Sequence, residues 1–413
     1  MIPANFLIAK HISISSITIA TVIPALIIAN CIKNEYDLKN FKKLFILILS
    51  ILPISYLLGC IINFETPEDI EYCVKSRTII IAYSSIFFLL PFQKSWLYNS
   101  IMGIYILVAF SLSIWTLYNF SIHFENLTSV LLSTPTWDIL IIMFEQSIPL
   151  NIYHHFFSFF MFTGFLFNIY MCIYLKFIKS NNLSRLGLFC LAIWFFLFAH
   201  FLASRTGLMF IYLTLVYIGI DLIVKRIIKL QIVIISVVLI CGFIAVMFRI
   251  SPVLRLKYDN LTSNFYTIDN ANLSELDNSR IESIKLGLKI ISDNPWKGIS
   301  PTKADSVFKI YYKKYYPNNP ENWLKPHNQF IDFGAQYGLV SLFMFILALV
   351  LPFIILFKQL NIVSKLFYLS FLIYCLYDVP FTSKEFYYFF SFWTPFLFHY
   401  SLAQRKEFEK LKS

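Results

Sequence analysis

The sequence predicts an all-α integral membrane protein, and two observations carry that prediction. Of its 413 residues, 58% are apolar and 14% charged, with a mean hydropathy of +0.69. Soluble domains run nearer 45–50% apolar and about 25% charged. The apolar residues are also grouped: about eleven runs approach the ~20 residues that a helix needs to cross ~30 Å of hydrocarbon. A polytopic bundle of about 11–12 transmembrane helices with one large loop follows.

The runs fall at 12–32, 44–62, 78–92, 97–118, 152–175, 186–202, 206–224, 230–248, 330–357, 363–378 and 386–403. The first lacks a basic leader and a small-residue cleavage site, so it reads as a retained span rather than a signal peptide. The runs at 78–92 and 363–378 are short. The run at 330–357 is long enough to tilt, or to begin as an interfacial turn. Three regions result: a transmembrane bundle over 1–248, a large loop with short helices over 249–329, and C-terminal transmembrane helices with a tail over 330–413.

Short loops set the expected orientation. Lys33, Lys39, Lys42 and Lys43 follow the first run, and Lys176, Lys179 and Arg185 the fifth. Lys225, Arg226 and Lys229 follow the seventh, and Lys358 and Lys365 the ninth. The tail, with Arg405, Lys406, Lys410 and Lys412, falls on the same side, which the positive-inside rule makes cytoplasmic. The large loop is then expected outside. Its twelve basic and eight acidic residues do not contradict this, because loops beyond ~60 residues translocate largely regardless of charge. The net charge of +11 combines this loop with the cytoplasmic anchors and does not point to nucleic acid. The seven cysteines are scattered, without CxxC or Cys/His ligand spacing, so neither disulfides nor a metal is expected.

The unusual chemistry gathers in and beside the loop. Ser279-Arg280-Ile281-Glu282 has the form of a capping box opening a helix, with Ile281, Ile284, Leu288 and Ile291 as its apolar face. Asp293-Asn294-Pro295 ends that helix and Trp296-Lys297-Gly298 makes a turn. Arg280 in the first turn reads either as a solvated surface residue or as part of an anion site at a helix N-terminus. Tyr311, Tyr312, Lys313 and Lys314 suit either an interfacial aromatic–basic belt or stacking on sugars with contacts to phosphate. Arg205, in the tight turn Ser204-Arg205-Thr206-Gly207, is the only charge between His200 and Asp221. It either snorkels to headgroups or holds an anion in a planar fork.

Lys325-Pro326-His327-Asn328 stands where the loop returns to the membrane, an expensive place for polar groups. His327 is either a hydrogen-bonded interfacial histidine or a general base, since neutral imidazole takes a proton from a hydroxyl near pH 7. Asn328 is a candidate for substrate contact beside it. His154 and His155, opening the fifth run, are a weaker candidate pair. No DxD pair is present. Glu68, Asp69 and Glu71 in the first outer loop are the one acidic cluster suggesting a metal-using alternative.

In combination these residues resemble the O-antigen ligase and polymerase superfamily, bacterial membrane glycosyltransferases that act on lipid-linked glycans. Three pieces carry the resemblance: Ser204-Arg205-Thr206-Gly207 before a span, Arg280 opening a helix that closes with Asn294-Pro295-Trp296-Lys297-Gly298, and His327-Asn328 followed by Gly334 and Gly338. The resemblance covers about 150–380. It implies a lipid-sugar glycosyltransferase (GT-C-like) bundle in the bacterial inner membrane that works without metal or cofactor at the periplasmic face. Arg205 and Arg280 would bind the pyrophosphate of an undecaprenyl-diphosphate-linked glycan, and His327 would activate an acceptor hydroxyl, on lipid A core for a ligase. Repeat-unit polymerisation and transfer to protein share that donor site. A transporter or flippase is the reading from another class. It sits poorly with 11 glycines and no visible internal repeat.

Overall fold

A computed structural model describes residues 95–133, 147–149, 152, 154–175, 182–202, 204–250, 275–317 and 325–410. The expected spans at 12–32, 44–62 and 78–92, and the acidic cluster at Glu68, Asp69 and Glu71, lie outside these residues. The described chain is helical, with no strand among the described residues. Its helices are α1 (Ser95–Ser133), α2 (His154–Tyr174), α3 (Asn182–Leu202), α4 (Arg205–Val224), α5 (Leu230–Ile250), α6 (Glu275–Asp293), α7 (Ala304–Tyr315), α8 (Gln329–Leu356), α9 (Ile362–Tyr377) and α10 (Lys384–Lys410). Five segments are long and apolar enough to cross a membrane: Ser95–Ile122, His154–Tyr174, Asn182–Leu202, Thr206–Val224 and Gln329–Leu356. Ile362–Tyr377 is a shorter apolar helix.

Two compact units are present, one comprising 99–250 and the other 95–98 with 275–410. In the first, α2 is the central helix, packed by α3 and α4. Its run of phenylalanines is buried on all sides, as expected of a helix that is apolar all round. Gly164 lets α1 approach closely, since a Cβ there would lie 3.1 Å from that of Ala109. Ser204 caps α4, and Gly207 brings the first turn of α4 against Ser158 of α2.

In the second unit α8, α9 and α10 share an aromatic core. Phe333 stacks on Phe345 at 4.3 Å between ring centroids, and Phe371 on Phe390 at 3.8 Å. Glu407 of α10 accepts hydrogen bonds from the backbone N–H and hydroxyl of Ser95, satisfying a donor at the start of α1. The α6–α7 hairpin packs on α8 through Leu286, Ile290, Phe308, Tyr312 and Ala335. Residues 275–317 of the long loop are therefore part of the same packed unit as 325–410.

Two details of α6 differ from expectation. The helix begins by Glu275, so Ser279 stands in the second turn and does not cap it. The buried face is Ser283, Leu286, Gly287 and Ile290, while Ile281 and Leu288 are exposed. A glycine and a serine carry little hydrophobic signal, yet both permit the close approach that the packing requires.

The expected span at 330–357 is interrupted. Gly338 has φ 80° and ψ 171°, outside the helical range, and divides α8. The break exposes backbone groups that the helix would otherwise pair, and the turn after α6 satisfies them. Ile299 N–H donates to the Ala335 carbonyl at 2.9 Å, Ser300 N–H to that of Gln336 at 3.1 Å, and Leu339 N–H to that of Pro295 at 2.7 Å. The turn has left-handed residues of its own, Gly298 at φ 71° and Ser300 at φ 65°. A Cβ on Gly298 would lie 2.5 Å from the Gln336 carbonyl oxygen, and one on Gly338 would strike that of Trp296. Glycine is required at both positions by conformation and by space.

Candidate active site

His327 lies at the head of α8, held there by its neighbours. Asn328 is the N-cap, its side-chain oxygen accepting from Phe330 and Ile331 N–H at 3.0 Å each. Its amide nitrogen donates to the Leu376 carbonyl at 3.1 Å, so both ends of this side chain are engaged within the protein. Gln329 is buried, and its side-chain oxygen accepts from Phe381 N–H at 2.8 Å. These bonds tie the segment carrying His327 to the end of α9 and the turn that follows.

Asp378, at the C-cap of α9, stands beside the histidine. His327 Nδ1 is 3.5 Å from Asp378 Oδ1, with side-chain exposures of 20% and 10%, so the pair is sheltered but reachable. The carboxylate is itself fixed: Val379 N–H donates to Oδ1 at 2.9 Å, and the Tyr374 hydroxyl to Oδ2 at 3.4 Å. The carboxylate stands on the Nδ1 side of the ring, close enough to pair with a protonated imidazole. Asp378 was missed by sequence reasoning. Its available signal was chemical: only five acidic residues occur after 330, and Asp378 and Asp332 are the two buried among apolar helices. Asp332, one turn into α8, accepts two 2.8 Å hydrogen bonds from Gln336 Nε2.

Arg280 belongs to the same unit. Contacts between α6 and α8 advance together along both helices: Gly287 meets Pro326 and Ile331, Ile291 meets Gly334, and Trp296 meets Gly338. The two helices therefore run parallel, and their N-terminal ends, with Arg280 and His327, face the same way. Seven residues separate Arg280 from Gly287, about 10 Å of helix. Arg280 is half-buried. The N-terminus of α8, capped by Asn328, and Arg280 of α6 therefore lie toward the same end of the unit.

The remaining expected site residues divide. Tyr312 is a correction: it is fully buried in the α6–α7 core and its hydroxyl donates to Glu282, so it packs the hairpin instead of meeting substrate. Burial, then the Glu282 carboxylate, pushes its phenol well above the usual tyrosine range. Tyr311 is half-buried, its hydroxyl 3.3 Å from Asp293. Lys313 and Lys314 are exposed on the last turn of α7. Arg205, His154 and His155 lie in the other unit. Arg205 is the first residue of α4, and His154 opens α2 with Nε2 3.2 Å from the Leu202 carbonyl. Among the described residues no group of three His, Cys, Asp or Glu could hold a metal ion.

Fold and site together define a class, a polytopic helical membrane protein with a histidine–carboxylate pair at a helix head beside an arginine. Residues 188–346 match the family model described as O-antigen ligase. The match runs from within α3 to within α8 and contains Arg205, Arg280, His327, Gly298 and Gly338, ending before Asp378. No curated protein matches the chain.

Proposed function

We propose that this protein is an inverting glycosyltransferase that moves a glycan from an undecaprenyl-diphosphate carrier to an acceptor hydroxyl, that of lipid A core, at the periplasmic face of the bacterial inner membrane. The observation that carries the reading is the His327–Asp378 pair at the head of α8, inside a unit whose parallel partner helix presents Arg280 at the same end. His327 Nε2 takes the acceptor proton as the acceptor oxygen attacks the anomeric carbon. The bond from that carbon to the carrier diphosphate breaks, and the lipid diphosphate leaves with the electron pair. Asp378 holds the imidazole and stabilises the imidazolium that forms. Arg280 neutralises charge developing on the leaving diphosphate, the largest electrostatic demand of the step, and Arg205 is assigned to the diphosphate by the family resemblance alone.

The test is transfer by purified protein from a lipid-linked glycan to acceptor, joined to glycolipid analysis of a deletion strain. Ligation predicts full-length glycan stranded on the carrier. Single-unit chains on lipid A core would assign polymerisation instead, and unaltered lipopolysaccharide would point to a protein acceptor or to transport. A reporter fused after Lys314 checks sidedness, and activity there of a reporter that works only in the cytoplasm overturns the periplasmic site.

A further inference from the structure

Gly287 stands where the helix carrying Arg280 comes closest to the segment carrying His327. A Cβ built on it would lie 2.6 Å from Ile331 Cγ2 and 2.8 Å from Pro326 Cγ. Neither neighbour can yield easily. Ile331 is branched at the contact and lies in the first turn of α8, while Pro326 is a ring next to His327. The far end of the contact is also fixed, because the turn 295–300 is bonded to α8 by three backbone hydrogen bonds. Helix α6 is thus pinned at its C-terminal end and seated at Gly287, so a wedge at Gly287 acts on the near end, where Pro326 and His327 are. His327 in turn depends on a 3.5 Å relationship to Asp378 on another helix.

We infer that Gly287 is a positioning residue for the transfer reaction: the missing side chain sets the placement of His327 relative to Asp378 and to the arginine helix. This inference rests on the function proposed above. It differs from a requirement for flexibility, because Gly287 lies within α6 with helical neighbours on both sides, where glycine weakens a helix and alanine strengthens it. The helix gain from alanine opposes an overpacking cost at Ile331 and Pro326, so the role is read from kcat per folded molecule and from its coupling to Ile331, which a purely structural glycine does not produce.

The experiment compares wild type, Gly287→Ala and the double variant Gly287→Ala/Ile331→Ala as full-length membrane protein. Gly287→Ala should insert normally and melt somewhat below the wild-type temperature, the contact with Ile331 and Pro326 costing more than helix propensity returns. Its kcat should fall roughly tenfold to a hundredfold with donor KM little changed, since a 1 Å displacement of reacting groups can cost ~10²-fold. Removing the Ile331 branch should return roughly half of that loss on a logarithmic scale, the sign of a coupled pair. A kcat within about twofold of wild type in a well-folded Gly287→Ala protein overturns the inference. A second readout does not need transfer: the rate at which diethyl pyrocarbonate modifies His327, followed by mass spectrometry, should differ between wild type and Gly287→Ala. Equal rates overturn the positioning role, including in a variant preparation too poor to assay. A wild-type protein that transfers nothing while these rates differ refutes the glycosyltransferase reading instead.

Discussion

His327 Nδ1 faces Asp378 Oδ1 at 3.5 Å across fifty-one positions of sequence, and the carboxylate is fixed by Val379 and Tyr374 before the histidine reaches it. The pair is preorganised from the carboxylate side. Asp378→Asn keeps the shape but removes the charge, favouring the wrong tautomer at Nδ1. Transfer should fall roughly 10²-fold, the lower end of what general-base catalysis supplies. Steady-state rates normalised to folded protein check this, and transfer within about twofold of wild type would argue against the pairing.

Arg280 and Arg205 test the diphosphate role. Alanine at either should lower donor kcat/KM by roughly 10–100-fold, the equivalent of losing a hydrogen bond to a charged group at ~1.5–3 kcal/mol. Lysine should restore only part, because it lacks the planar fork. The measurement is donor titration at saturating acceptor.

Much of this site was legible in the sequence because it consists of polar residues where polar residues are costly. Arg205 stood out among apolar residues, His327 at the membrane boundary and Arg280 near an expected helix start in a polar loop, and the turn 294–298 announced itself by Asn, Pro and Gly. Asp378 did not, because its partner is remote in sequence and an acid after a short span looks like an ordinary helix end. The face of α6 was misread by one step because two adjacent stripes both satisfy helical spacing, and the buried one includes Ser283 and Gly287. Hydropathy alone cannot show the break at Gly338, since a helix and a spliced helix have the same composition.

That splice makes a stability prediction. Gly338→Ala should destabilise the unit by more than the ~1–3 kcal/mol of a residue held in the glycine-only region at φ 80° and ψ 171°, because its Cβ also strikes the Trp296 carbonyl. Ser300, already left-handed at φ 65°, should tolerate glycine with a change within about 1 kcal/mol, strain relief offsetting unfolded-state entropy. Thermal melts of the two variants in one detergent compare them directly.

Tyr312 supplies a pH prediction. Its phenol is raised in the folded state, by burial first and by Glu282 second, so it stabilises the protonated form. That contribution is complete below the unfolded tyrosine value near 10 and fades as pH rises beyond it toward the folded value. Tyr312→Phe should cost about 1–2 kcal/mol at neutral pH through the lost bond to Glu282 and should flatten the alkaline loss of stability. Melting temperatures of both proteins from pH 8 to 11 provide the check.

The central claim is that His327 is the base, and His327→Ala with added imidazole tests it most directly. The account predicts a loss of at least ~10²-fold in transfer per folded molecule, unchanged binding of the lipid-linked donor, and partial recovery of rate with exogenous imidazole. Wild-type turnover by the alanine variant would contradict it and remove His327 from the mechanism.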